Sequence, residues 1–241
     1  MRLDRHLVER CGFETRAKAQ AAIAAGHVRV DGEPARKASQ SVPAGAVVQA
    51  EPAHPYVGRA ALKLVHGLDA FNVDPSGRTC LDVGASTGGF TQVLIERGAE
   101  RVYAVDVGRD QLHPRLCAQE RVVSLEGVDA RALDTRLIPE PVSLLVCDAS
   151  FISLAKVLPR ALGLLAPGGE AVVLFKPQFE VGRAHVGKGG LVTDAEAVER
   201  AKEKACAFFE DAGLEVSGWS ISPISGGDGN QEHLLHARRR D

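Results

Sequence analysis

The stretch Asp82-Val83-Gly84-Ala85-Ser86-Thr87-Gly88-Gly89-Phe90 constrains the fold of this chain more than any other. It follows the apolar run Thr79-Cys80-Leu81 and precedes Thr91-Gln92-Val93-Leu94-Ile95-Glu96-Arg97, whose pattern is helical. A strand that ends in Asp-x-Gly, turns through small residues and opens a helix forms a turn that cradles a nucleotide. Gly84 admits a close backbone approach to a ligand, Gly88 and Gly89 tolerate positive φ and tight packing, and the first free helix amides face the bound group. A dinucleotide turn wants G-x-G-x-x-G and a P-loop wants G-x-x-x-x-G-K-[ST]. Here the glycines fall as G-A-S-T-G-G with no following lysine, so an adenosine without a polyphosphate, as in S-adenosylmethionine, fits better. A Gly-rich strand-to-helix turn with no ligand is the competing reading. The cofactor-binding candidates are therefore Gly84, Ala85, Ser86, Thr87, Gly88, Gly89 and Phe90, with Asp82 as an anchor for the turn.

With 241 residues, 45% of them hydrophobic, the chain can bury a substantial core in one large domain or in a small one plus a medium one. The N-terminus is charged throughout, and no apolar run approaches the ~20 residues of a membrane span, so neither export nor membrane insertion is expected. Five cysteines, odd in number and without a C-x-x-C pair, read as buried free thiols of a cytoplasmic protein. Eight histidines form no ligating pattern, and no metal is expected.

The charge is unevenly spread. Residues 1–50 hold eight basic against five acidic side chains, a surplus of three, and since the whole chain carries −2 the remainder carries −5. Leu3, Leu7 and Val8 recur at helical spacing up to Gly12. Thr15 caps a second helix whose apolar side is Ala19, Ala22 and Ile23, and Gly26 stops it. Val28-Arg29-Val30 then enters a tight turn at Asp31-Gly32, with Val47-Val48 as a partner strand. The segments R-L-D-x-x-L-V, T-R-x-x-A and I-x-x-G-x-V-x-V-D-G resemble the small RNA-binding domain shared by a ribosomal small-subunit protein and several RNA-modifying enzymes, with Thr15-Arg16 where that family usually has Ser-Arg. The resemblance implies that the helix face bearing Arg5, Arg16 and Lys18 meets RNA phosphates and shape rather than base edges, and Arg29 and Arg59 are further RNA-binding candidates. Arg10 and Arg36 read as solvated charges. The prolines of 50–55 mark a boundary, giving an RNA-binding domain at 1–50, a linker at 51–58 and a second domain at 59–241.

From residue 56 strands and helices alternate as in a doubly wound parallel sheet. Strands are predicted at 79–84, 101–106, 121–125, 142–148, 171–176, 214–220 and 233–238, and helices at 60–71, 90–98, 152–165 and 194–212. Seven strands, the last two without a helix between them, resemble the Rossmann-like α/β fold of S-adenosylmethionine-dependent methyltransferases, here preceded by the small α+β RNA-binding domain. Asp106 ends the second strand about 20 residues beyond the glycine turn, where a carboxylate accepts both ribose hydroxyls. Asp129 is a candidate for the adenine amino group, and equally a simple cap.

Lys63, Asp148, Lys176 and Glu232 stand at element ends, and Asp148 and Lys176 follow apolar strands directly. The order Lys, Asp, Lys, Glu resembles the tetrad of FtsJ-type ribose 2′-O-methyltransferases. Together with G-K-G-G-L-V-T-D at 187–194 and G-D-G-N-Q-E-H-L-L at 227–235, it makes the chain similar over its length to the TlyA (hemolysin A) family of rRNA methyltransferases. The resemblance implies a catalytic tetrad of Lys63, Asp148, Lys176 and Glu232, S-adenosyl-L-methionine as methyl donor with Asp148 near its methionine portion, and cytidine in ribosomal RNA or ribosomal subunits as substrate. A ribose hydroxyl is a very weak acid and a sulfonium methyl is already activated, so the enzyme supplies alignment and help in losing one proton, with Lys176 as base or alkoxide stabiliser. Two other readings compete. A ribosome assembly factor with a vestigial methyltransferase fold would have no need of the whole tetrad, and a cytolysin would need a spanning helix or amphipathic strands. No feature points to a protein partner.

Overall fold

Leu3 and Leu7, four residues apart, put one apolar face on the first helix of the computed structural model, which describes residues 1–240. This helix, α1, runs Leu3–Arg10, and α2 runs Arg16–Ala24. The Thr15 side chain caps α2 by accepting from the Lys18 amide at 3.2 Å, a contact worth about 1 kcal/mol. Strand β1 (Val28–Val30) returns through Asp31-Gly32 into β2 (Glu33–Pro34), and both turn residues hold the positive φ, 51° and 82°, that a two-residue type I′ turn requires. Strand β3 (Val48–Ala50) pairs antiparallel on the other side of β1. It starts one residue later than expected, because the Val47 amide is taken by Asp31 Oδ1 at 2.8 Å and its side chain points to solvent. Leu3, Leu7, Phe13, Ile23 and Val28 form the core of this unit.

The chain divides into two compact units, residues 1–55 and the part from residue 56 onward, so the division falls inside the segment 51–58. The second unit comprises α3 (Ala61–Phe71), β4 (Thr79–Val83), α4 (Gly89–Glu96), β5 (Arg101–Asp106), α5 (Pro114–Cys117), β6 (Val122–Glu126), β7 (Val142–Cys147), α6 (Leu154–Val157), α7 (Pro159–Leu162), β8 (Leu165–Phe175), α8 (Pro177–Glu180), α9 (Ala195–Asp211), β9 (Leu214–Ile221) and β10 (His233–Arg239). The seven strands form one sheet in the order β6-β5-β4-β7-β8-β10-β9, with β10 antiparallel to both its neighbours and the others parallel. Successive residues point to opposite faces. Leu81, Leu145 and Val173 pack under α6, α7 and α9, while Cys80, Leu144 and Val172 pack under α3 and α4. Both faces are covered, which is why these strands read as continuous apolar runs.

The single helix expected at 152–165 is instead two short ones, α6 and α7. Pro159 opens α7 and cannot donate the amide bond that would continue α6. Strand β8 begins at Leu165 rather than 171, with an irregular register where Pro167-Gly168-Gly169 interrupts it. Helix α9 is capped by Asp194, which accepts from the Ala197 amide at 2.9 Å, and buries Ala197, Ala201, Ala205 and Phe209 along one stripe. Of the cysteines, Cys80 and Cys147 are buried and their thiols are pushed up to about 12 by desolvation, but Cys117 is exposed, against the expectation of buried thiols throughout. Among the described residues no helix is long and apolar enough to cross a membrane.

Candidate functional site

The order of the sheet reverses between β4 and β7, since β5 and β6 lie to one side and β7 and β8 to the other. At such a point the carboxyl ends of parallel strands open a crevice. Asp148 follows β7 and Lys176 follows β8. Because β10 runs antiparallel, with His233 opposite Phe175, Glu232 enters the same edge from the other direction. Lys63 reaches it from the first turn of α3. The four residues meet as two ion pairs. Lys63 Nζ binds Glu232 Oε2, and both side chains are almost fully buried, at 5% and 2% exposure. Lys176 Nζ lies 2.6 Å from Asp148 Oδ1 and donates to the Asp148 carbonyl at 3.1 Å and to Ser150 Oγ at 2.7 Å. Charges buried this deeply are tolerated only with such partners. Both pairs line one cavity of about 570 Å³, together with Arg59, Ser150, Phe151 and Gln178.

Two further cavities adjoin it. One of about 280 Å³ is lined by Gly84, Ala85, Ser86, Thr87, Gly89 and Phe90 and shares Asp148, Ser150 and Lys176 with the first. The other, about 460 Å³, is walled by Val105, Val128 and Ile152 with Asp106 and Asp129 at its polar side. Asp106 is held by the Ser86 amide on Oδ2 (2.8 Å) and the Gly108 amide on Oδ1 (2.7 Å), which fixes its orientation. Apolar walls for a purine and a fixed carboxylate for vicinal hydroxyls are what an adenosine requires, so these residues fit one. Ser86, at φ 48°, and Phe151, at φ 66°, are non-glycine residues held in the left-handed region, and both line this cavity. Such costly backbone tends to collect at binding sites.

The glycine turn differs in detail from its sequence reading. A Cβ on Gly84 would lie 2.9 Å from the Ala149 backbone, so the close approach is first to the segment after β7. A Cβ on Gly88 would collide with Leu112 and Leu116, which pack over the turn, and φ there is 93°. The Phe90 ring sits in the core, leaving its backbone toward the cavity. Asp82 is fully buried; its Oδ2 accepts from the Thr91 hydroxyl at 2.7 Å, tying β4 to α4, and Oδ1 has no partner among the described residues. Burial raises its pKa to about 7, and the charges of Asp148 and Asp106 add to that rise. Asp129 caps the turn that follows it, accepting from the Arg131 amide at 2.9 Å, and pairs with the Arg131 guanidinium, which holds its carboxyl below the usual range. Its capping role is thus realised at the cavity wall.

Several participants gave no clear signal in the sequence. Ser150 borders all three cavities. Phe151, 91% exposed, leans on the Phe179 ring with centroids 5.3 Å apart. Asn230, almost wholly buried, donates to the Gly190 carbonyl at 2.8 Å and accepts from the Val192 amide at 2.9 Å, latching the loop before Glu232 to the 186–190 wall of the large cavity. A lone asparagine among glycines could have suggested such a latch. Arg59 lines the large cavity beside Lys176.

In the first unit the basic residues are tethered. Arg16 donates to Asp4 Oδ2 at 2.8 Å, and Asp4, fully buried, also takes Arg2 and Gln20, so its carboxyl is held far below the ordinary carboxylate range. Arg5 pairs with Glu9, Lys18 with Glu14, and the Arg29 guanidinium donates to the Gly32 carbonyl at 2.9 Å. Arg5, Arg16 and Arg29 nevertheless remain exposed.

Comparison with known proteins gives a consistent picture. Residues 56–239 match the model of FtsJ-like methyltransferases and residues 1–48 that of the S4 domain. The 16S/23S rRNA (cytidine-2'-O)-methyltransferase TlyA of Mycobacterium tuberculosis is 43% identical over 239 residues, covering 98% of this chain and 89% of that protein. Hemolysin A of Brachyspira hyodysenteriae is 37% identical over 98% of this chain and 99% of its own. A solved structure described as a hemolysin of Streptococcus thermophilus superposes with a TM-score of 0.79 at 38% identity, over 100% of this chain and 89% of that one.

Proposed function

This chain belongs to the FtsJ-like methyltransferase family and carries an S4 domain ahead of that fold, and we propose that it methylates a ribose 2′-hydroxyl of cytidine in ribosomal RNA, with S-adenosyl-L-methionine as donor. The observation that carries the reading is the convergence of two ion pairs, the buried Lys63–Glu232 and the partly buried Asp148–Lys176, on one cavity that adjoins the adenosine-shaped one. S-adenosylmethionine, when bound, supplies a methyl group on a sulfonium that needs no further activation. Asp106 would take the ribose hydroxyls of the donor, Val105, Val128 and Ile152 its base, and the 84–90 turn with Asp148 its methionine portion.

The chain's own residues then act on the acceptor. Lys63 and Glu232, locked together, orient the target hydroxyl, and Lys176 manages its proton. Holding two reactants in line is worth roughly 7–11 kcal/mol, and a positioned base about 10²–10⁴ in rate. Arg5 of α1 and Arg16 and Lys18 of α2 supply phosphate contacts, whose contribution weakens with salt as counterions are released.

Transfer of labelled methyl to ribosomal RNA or subunits, with the product mapped to a ribose 2′ position, tests the reading. Lys176→Ala should abolish transfer while calorimetric affinity for S-adenosylmethionine stays within about threefold, since its effect belongs to proton transfer. Undiminished turnover of this variant would remove Lys176 from the mechanism, and absence of any methylation by the wild-type chain would overturn the function.

A further inference from the structure

An alkylammonium has three N–H donors, and around Lys176 Nζ three oxygens lie within reach of them. They are Asp148 Oδ1 at 2.6 Å, the Asp148 carbonyl at 3.1 Å and Ser150 Oγ at 2.7 Å. The contacts to the Asp148 carbonyl and to Ser150 Oγ are hydrogen bonds, while Asp148 Oδ1 lies beside the nitrogen as an ion-pair partner outside hydrogen-bond geometry, and an ammonium so held has no lone pair to receive the ribose proton. Removing one proton to make the base leaves two N–H groups. The two Asp148 oxygens only accept, whereas the Ser150 hydroxyl both accepts and donates. A lone pair cannot face either of the acceptor-only Asp148 oxygens, so the neutral amine turns it to Ser150. A base so placed meets a hydroxyl of its own chain before it meets substrate.

Ser150 is suited to the intermediate position. It is exposed, and it lines the 570 Å³ cavity as well as the two smaller ones, so a substrate hydroxyl in the large cavity can reach it. The other carboxylates lining that cavity are already engaged, Glu232 by the Lys63 ammonium and Asp228 by the Gln178 side-chain amide at 2.8 Å and the Asn230 backbone amide at 3.1 Å. We propose, resting on the ribose 2′-O-methylation reading, that Ser150 is a catalytic residue which relays the proton of the target hydroxyl to Lys176. As the ribose oxygen bonds to the methyl carbon, with the electron pair of the broken carbon–sulfur bond left on sulfur, its proton passes to Ser150 Oγ. The proton that Ser150 carried passes to Lys176 Nζ in the same step. Serine ends neutral, Lys176 ends as an ammonium, and that proton leaves to water before the next turnover.

The test uses the full chain in single-turnover methylation of ribosomal RNA. Ser150→Ala should slow transfer by about 10²-fold. Its calorimetric affinity for S-adenosylhomocysteine and its affinity for RNA in filter binding should stay within about threefold. Ser150→Thr keeps a hydroxyl and should recover most of the rate. In mixtures of light and heavy water the wild-type rate should bow with deuterium fraction, as two protons move together, and the Ser150→Ala rate should fall linearly. A side chain that only props Lys176 would not change that curvature. Ser150→Ala at the wild-type rate, or a linear wild-type dependence with Ser150→Thr no faster than Ser150→Ala, overturns the relay while leaving the methyltransferase reading intact. A wild-type chain that does not methylate ribosomal RNA overturns both.

Discussion

Replacing Glu232 by leucine leaves the Lys63 ammonium in a site where the two side chains are 5% and 2% exposed, with its ion-pair partner gone. Removing one member of a buried ion pair costs about 3–5 kcal/mol, because the remaining charge has lost its water without compensation. Lys63→Met should cost a similar amount, as it strands the Glu232 carboxylate. Replacing both charges by apolar groups of similar volume removes the desolvation penalty along with the attraction, so Lys63→Met with Glu232→Leu should return to within about 1 kcal/mol of the wild type. The double-mutant cycle should therefore show strong non-additivity. Trp219 is the only tryptophan and lies in β9, paired with β10, the strand that starts immediately after Glu232, so its fluorescence reports the unfolding of this unit. With a urea slope of about 2 kcal/mol/M, each single variant should lower the midpoint by roughly 1.5–2.5 M and the double variant by less than about 0.5 M. All three should be inactive in methyl transfer. A single-variant cost below about 1 kcal/mol would mean the pair is effectively solvated. A double variant no better than the worse single one would mean that shape, not charge, sets the cost.

Asp106→Ala should weaken S-adenosylmethionine binding by about 1–3 kcal/mol, or roughly 5- to 150-fold in calorimetric Kd, since the donor's ribose loses a charged acceptor fixed by two amides; unchanged affinity would place the donor elsewhere. Asp82 should make stability fall with rising pH. Its pKa is raised from 3.8 to about 7, so between those values the folded chain holds a proton that the unfolded chain has released, and stability is lost as pH rises from about 4 to about 7 and levels off above. Asp82→Asn cannot titrate, and its urea stability should gain on that of the wild type across this window; parallel pH profiles would show that burial does not raise this carboxyl.

The central parallel strands were legible because both of their faces are buried, which leaves them almost wholly apolar, with Asp82 of β4 the one charged residue inside such a run. Asp106, Asp148 and Lys176 stood out for the same reason, as the first charges after such runs. Legibility failed where a single residue overrules a pattern. The apolar spacing across 152–165 is helical, yet one missing amide at Pro159 splits it into α6 and α7. The start of β8 was hidden by Pro167-Gly168-Gly169, residues that normally end a strand. In the first unit the charge surplus was readable and the tethering was not. Arg16 reaches Asp4, twelve positions away, only because α1 and α2 pack side by side, and no local rule pairs those two residues.

The candidate site shows the same limit at the scale of chemistry. Charge type and position marked Lys63, Asp148, Lys176 and Glu232, and the fold brings them to one cavity. It also pairs them off, so each cation faces a carboxylate and each carboxylate a cation. Buried charges in balanced pairs are good at orienting a substrate and poor at accepting a proton, since any transfer must break the balance that makes their burial tolerable. A group that can reverse its hydrogen bond without changing charge escapes that constraint. Ser150 is such a group, and its partner Lys176 lies 26 positions away on the neighbouring strand's end. The sequence presents Ser150 as one small residue in a loop. Its part follows only from counting the donors and acceptors around a lysine whose neighbours the fold alone supplies.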